Sequence, residues 1–166
     1  MDRTPTFPFE EALRNAMQVE KHAMDYYRTC ANYLRDPAAV KLFQLLAREE
    51  HEHAASFYQA YPRPDDFDFA AFIAQEPEEA HGWLAEIGRK LADLDERHAM
   101  LVALEKEQKL EEHLRAMAAS VADPTVRAVY EENARSTHQH YELIEAEYAR
   151  LMGMVHDSDI DIYVRE

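Results

Sequence analysis

The chain has 166 residues, with 33 Asp and Glu against 18 Lys and Arg, for a formal net charge of −15. That balance excludes a binder of phosphate backbones, which needs clustered cations to displace counterions, and it favours cations as partners. Three glycines in the whole chain, Gly82, Gly88 and Gly153, exclude nucleotide-cradling loops; without an Asn-Gly or Asp-Gly turn, a mostly helical protein is left.

The first thirty residues carry Glu10, Glu11, Glu20 and Asp25 and no long apolar run, so they read as neither signal peptide nor membrane span, and the expected location is cytoplasmic. From Leu13 the apolar positions recur at alternating steps of three and four. Ala16/Met17, Ala23/Met24, Tyr27, Cys30/Ala31 and Leu34 form one face of a helix expected to end near Arg35. Asp36 is then a natural N-cap, and Pro37 suits the first turn, where a missing N–H costs nothing. A second helix follows, with Val40, Phe43, Leu46/Ala47, Ala54, Phe57 and Tyr61 on its stripe. Residues 62–92 hold Pro62, Pro64 and Pro77 and read as a crossover with one or two short helices.

The third helix is marked by Met100, Ala103/Leu104, Leu110, Leu114, Met117/Ala118 and Val121. After an Asp123-Pro124 cap, the fourth is marked by Val126, Val129/Tyr130, Ala134, Tyr141, Ile144 and Tyr148. A shift of 87 residues superposes the two halves, aligning Glu20 with Glu107, Asp36-Pro37 with Asp123-Pro124, Ala47-Arg48 with Ala134-Arg135, His51 with His138 and His53 with His140. The expected domain is therefore one all-α four-helix bundle over residues 1–155, two duplicated helical hairpins joined by a long crossover. Beyond it, residues 156–166 alternate acidic and apolar positions and read as an extended arm, either docked as a terminus or crossing to another subunit.

The inner stripes are not wholly apolar. Glu20, Glu50, His53, Glu107 and His140 all fall on them, near mid-helix, where an unpaired carboxylate costs several kcal/mol or gives up its charge. Glu50 and His53, at i and i+3, share one helix face. A bound cation would resolve the cost by taking these groups as ligands; a metal-free hydrogen-bonded network is the alternative. Glu49, four residues before His53, competes with Glu50 as the ligand of that pair. Off the stripes, His22, His51, His81, His98, His113 and His138 read as solvated, and Tyr27 as a core tyrosine bonded to a carboxylate. Cys30, the only cysteine, reads as buried packing.

At Glu20 with Tyr27 seven positions on, Glu50-His51-Glu52-His53, Glu107 and His140, the chain resembles the ferritin-like superfamily, and within it the rubrerythrin-like proteins, over about residues 8–151. The resemblance implies a ferritin-like bundle with iron, one or two ions, held by Glu20, Glu50, His53, Glu107 and His140, and manganese or zinc as substitutes. It implies oxidation of Fe(II) and reduction of peroxide, with Glu20, Glu50 and Glu107 as the carboxylates that change coordination. It also implies a homodimer. Two features depart from the pattern. Thr137 stands where a second bridging glutamate is expected, so the second position would be weak, use water or recruit Glu111; and a rubredoxin module would need four cysteines, so electrons would come from a separate donor. Two other readings remain: an iron-binding or storage protein without turnover, and a metal-free helical interaction module working through the arm.

Overall fold

The computed structural model describes residues 8–77 and 95–153. Four long helices carry the fold: α1 (Glu10–Ala31), α2 (Pro37–Ala60), α4 (Glu96–Ser120) and α5 (Pro124–Leu151), with a short α3 (Phe69–Ala74) after a single 3-10 turn at Pro64–Asp66. Each of α2, α3, α4 and α5 starts where the sequence supplies an acidic cap. Asp36 accepts from the Ala39 N–H, Asp68 from Ala71, Asp95 from His98, and Asp123 from both Thr125 and Val126. These bonds satisfy amides that a helix start leaves without partners.

The first helix stops at Ala31, four residues short of the expected end. Asn32 and Tyr33 close it with tight bonds to the carbonyls of Thr29 and Cys30, and the resulting turn still delivers Leu34 to the core. Periodicity alone reads Leu34 as one more helical position, because the turn preserves its direction. The last helix ends at Leu151, and Gly153 just beyond it has a φ of 65°, the left-handed conformation that a C-terminal helix stop favours.

Cross-contacts fix the directions of the rods. Arg14 on α1 meets Tyr61 beyond the end of α2, and Glu20 meets His53, so these two helices are antiparallel. Glu111 meets His138 and Glu107 meets His140, so α4 and α5 are antiparallel too. The hairpins join through Tyr26 and Tyr27 against α4 and through Glu50, His53 and Ser56 against α5. The end of α2 lies beside Glu10 and Arg14, whereas the start of α4 lies beside Arg35 and Asp36, whose amides donate to Glu96. The end of α2 and the start of α4 therefore lie at opposite ends of the bundle, as the connectivity of a ferritin-like fold requires.

The connection between them begins in a defined way. Tyr58, Phe67, Phe69 and Phe72 pack as an aromatic cluster over α2. The chain then reaches mid-height, where the carbonyl of Gln75 accepts from Lys21 at 2.9 Å. Lys21 is itself buried and pairs with the buried carboxylate of Asp25 at 2.6 Å. The later part of the expected crossover and the expected arm at 156–166 lie outside the described residues.

The apolar core is divided. One cluster gathers Met24, Tyr27, Phe43, Leu46, Met100 and Ile144 with their neighbours. The other gathers Leu13, Met17, Phe57, Leu114, Val126 and Tyr130 with theirs. Glu20, Glu50, His53, Glu107, Thr137 and His140 occupy the interval on the four rods and are all buried. Among the described residues, no helix is long and apolar enough to cross a membrane.

Replacing the capping Asp123 by Ala should cost about 1 kcal/mol, the usual worth of an N-cap. Urea unfolding of the metal-free protein measures this, and the buried polar layer, remote from the cap, should keep whatever metal it binds.

Candidate metal centre

Each of the four long helices brings polar groups to the same level. Glu20 comes from α1, Glu50 and His53 from α2, Glu107 from α4, and Thr137 and His140 from α5, each at the register that a neighbouring apolar residue would occupy one turn away. The structure places the five residues expected from sequence in two overlapping groups. Glu20, Glu50 and His53 offer ligand atoms within 4.8 Å of one another, and so do Glu50, Glu107 and His140. Glu50 belongs to both. Its Oε2 lies 3.3 Å from Nδ1 of His53, and its Oε1 lies 2.9 Å from Nδ1 of His140. Glu20 Oε2 is 3.5 Å from His53 Nδ1, and Glu107 Oε1 is 3.8 Å from His140 Nδ1. The two imidazoles stack with centroids 5.2 Å apart and planes 10° from parallel.

The outward nitrogens of the rings have partners that the sequence reading missed. His140 Nε2 lies 2.6 Å from Glu49 Oε2, and His53 Nε2 lies 2.7 Å from Ser136 Oγ. Both partners leave Nδ1 turned inward, which fixes ring orientation as the outer partners of metal-binding histidines do. The 87-residue repeat carried the signal, because it aligns Glu49 with Ser136, each directly before a stripe position. Glu49 thus lies outside both groups and meets His140 from the outer side. Tyr27 donates its hydroxyl to Glu107 Oε1, the bond to a carboxylate expected of a core tyrosine.

Glu111 is engaged elsewhere. Its carboxylate accepts from His138 Nδ1 at 2.7 Å and from Arg115 Nε at 3.1 Å on the outer surface of the α4–α5 hairpin. In this geometry Glu111 is held away from the second position that it was expected to fill. His138 is exposed and pairs also with Glu142, 3.0 Å away, while His81 lies outside the described residues. Cys30 is a buried thiol, pushed up to about 12 by burial.

Three carboxylates in so small a dry volume repel one another. Burial, and then the charge of Glu50, hold Glu20 well above the ordinary carboxylate range. The same two causes raise Glu107 to about 7. Burial would raise Glu50 as well, but Glu20, His140 and His53 around it outweigh burial and keep it well below the usual range. Burial opposes charge on the histidines also, yet Glu20 and Glu50 lift His53 to about 10, and Glu107 and Glu50 lift His140 to about 11. At neutral pH the metal-free layer thus holds two imidazolium cations among its carboxylates.

Even so, protonation leaves the layer incompletely satisfied. Both oxygens of Glu20, Oε2 of Glu50, Oε2 of Glu107, Nδ1 of His53 and Oγ1 of Thr137 are buried without a hydrogen bond. Each such atom ordinarily costs about 1–3 kcal/mol. All but the threonine hydroxyl belong to the two groups that share Glu50, and their oxygen and nitrogen donors suit a borderline divalent cation such as iron, manganese or zinc. The sequence model of the Rubrerythrin family matches residues 11–148.

The chain belongs to the rubrerythrin family. No curated protein and no solved structure matches it. Membership in the rubrerythrin family brings the expectation of iron binding to a ferritin-like bundle, and the buried carboxylate and histidine groups are chemically suited to it. Thr137 is fully buried on the rod that also carries His140, so its departure from the family pattern falls at the polar layer and not at the surface.

The raised groups fix the sign of the pH dependence. A group that binds its proton more tightly in the folded state stabilises fully below its unfolded value and loses that contribution as pH rises through its folded value. Glu107 loses its share between 4.5 and about 7, and the histidines lose theirs from 6.5 up to about 10 and 11. The thermal midpoint of the metal-free protein should therefore fall steadily from pH 6 to pH 9. A midpoint that rises over that range would show that the imidazoles are not charged in the folded state.

Proposed function

We propose that this protein is a non-haem iron protein of the di-iron type that oxidises Fe(II) and reduces peroxide. Glu20, Glu50 and His53 would hold one position, and Glu107, Glu50 and His140 the other. The observation that carries the reading is the sharing of Glu50 between two buried ligand groups, one on each of its oxygens. Glu50 would serve both groups, because each of its oxygens faces a different imidazole.

Iron held by these residues would supply the two electrons that, with two protons, reduce hydrogen peroxide to two waters. The chain's own part is to orient and to exclude water. Tyr27 fixes one oxygen of Glu107 and leaves the other unengaged; Glu49 and Ser136 hold the imidazoles with Nδ1 inward. The apolar clusters on either side keep the layer dry, so the carboxylates act at low dielectric, where their effect on a cation is largest. A single buried cysteine cannot build a four-thiolate iron site, so the electrons that restore Fe(II) come from outside these 166 residues.

Thr137 favours a second reading, metal binding without turnover, because a threonine hydroxyl is a poor substitute for a bridging carboxylate. Anaerobic addition of peroxide to the ferrous protein separates the two. Stoichiometric peroxide loss with oxidation of the iron supports the enzyme, and iron retained without peroxide loss supports the binding protein.

The double replacement Glu50→Ala with His53→Ala should abolish metal loading, measured by elemental analysis, while far-ultraviolet circular dichroism stays helical. Unchanged metal content would remove these residues from the centre. Thr137→Glu should raise the metal content per chain towards two; a destabilised protein whose stoichiometry is unaltered would show that position 137 is not part of the centre.

A further inference from the structure

The seam between α2 and α5 differs from the other contacts of the bundle. Where α1 meets α4, Tyr26 and Tyr27 are fully buried and close the interface with Met24 and Met100. Along α2 and α5 the cross-contacts are polar at three successive turns: Glu50 with His140, His53 with Ser136 and Ser56 with Asn133. A cleft of about 760 Å³ opens on this seam. Ser56, Asn133 and Ser136 line it together with Ala128 and Val129, and the inner wall includes His53. Glu52 and Glu132 are exposed and also line it.

Among the described residues, the exposures of the candidate ligands agree with an opening at this place. The side chains of Glu20, Glu50, Glu107 and His140 are at most 1% exposed, whereas that of His53 is 10% exposed. On the other half of the layer, His140 Nε2 is covered by Glu49, and the ring is sealed. The duplication that pairs Glu49 with Ser136 has thus produced unlike outer partners: a carboxylate over one imidazole, and a small neutral hydroxyl at the floor of a cleft under the other. A hydroxyl holds an imidazole less firmly than a carboxylate and fills less space.

We propose that the α2–α5 cleft is the route by which a divalent cation reaches the buried layer, entering at the His53 half, with Ser136 as the residue whose small size keeps the route open. The proposal rests on the reading of the layer as a metal centre and adds to it an order: the Glu20–Glu50–His53 half exchanges with solvent, and the Glu107–Glu50–His140 half fills from within. Glu52 and Glu132 at the mouth draw cations towards it. Polar atoms of Ser56, Asn133 and Ser136 offer hydration partners to a cation shedding water along the way.

The test compares two substitutions at one position. Ser136→Ala removes the bond to His53 and leaves the space open; Ser136→Phe removes the same bond and fills the floor of the cleft. Metal-free protein of each kind, mixed anaerobically with Co(II), is followed by the growth of the cobalt ligand-field absorption. Ser136→Phe should load on the order of tenfold more slowly than Ser136→Ala, because passage then waits on local opening of the bundle, and both should reach the wild-type stoichiometry. If Ser136→Phe does not fold by circular dichroism, Ala128→Trp on the cleft wall replaces it in the same comparison. Equal loading rates in the filled and open variants would overturn the route while leaving the metal centre intact. Failure of the wild-type protein to bind Co(II) or Fe(II) at all would instead overturn the centre, and the route with it.

Discussion

Mutual repulsion of carboxylates inside an apolar bundle is the constraint on which the rest of this molecule turns. Glu20, Glu50 and Glu107 come from three helices, each fully or almost fully removed from water. Their charges can coexist there only if positive charge stands among them. In the metal-free protein that charge is the pair of imidazoles, stacked plane on plane and lifted by their neighbours to about 10 and 11. Protons and cations are thus alternative occupants of one electrostatic role. Exchanging one for the other couples binding to acidity, since imidazole must lose its proton to become a ligand.

The architecture around the layer follows from the need to keep it dry and in register. Two apolar clusters flank it along the bundle axis, and the caps Asp36, Asp95 and Asp123 define where three of the four rods begin. With lengths and starting points set, the level of each inward residue is set as well. Tyr27, Glu49 and Ser136 then fix side-chain directions that helix geometry alone leaves open. The seam of α2 with α5 does both tasks at once, since its polar contacts join the hairpins and also line the approach to His53.

Much of this could be read directly from residue spacing. Charged residues at heptad-like positions, flanked by Met17 and Met24 or by Leu104 and Leu110, have no soluble explanation in a helix whose other inward positions are apolar; that contradiction located the layer. The Asp-Pro pairs located the turns because capping is a local interaction. Spacing put Glu50 rather than Glu49 on the inner stripe, one helical step apart, but it could not disclose that Glu49 reaches His140 from the outer side. Nor could it show that Glu111, one turn from Glu107, is drawn to the outer surface by Arg115 and His138. Those outcomes depend on where a neighbouring helix places its side chains, and that information is tertiary. The early stop of α1 has the same character: a turn closed on Thr29 and Cys30 presents Leu34 to the core as well as another helical turn would.

The pairing of Lys21 with the Gln75 carbonyl has a mechanical meaning that its burial alone does not convey. Lys21 is the residue next to Glu20, so the segment at Gln75 grips α1 immediately beside that inward carboxylate. Torsion of that rod about its long axis would carry Asp25 along with Lys21 but swing the ammonium group away from the Gln75 carbonyl, leaving that carbonyl without its buried donor. The segment at Gln75 is in this sense a torsional stop: it fixes the azimuth of Glu20 from behind, whatever occupies the space in front of it.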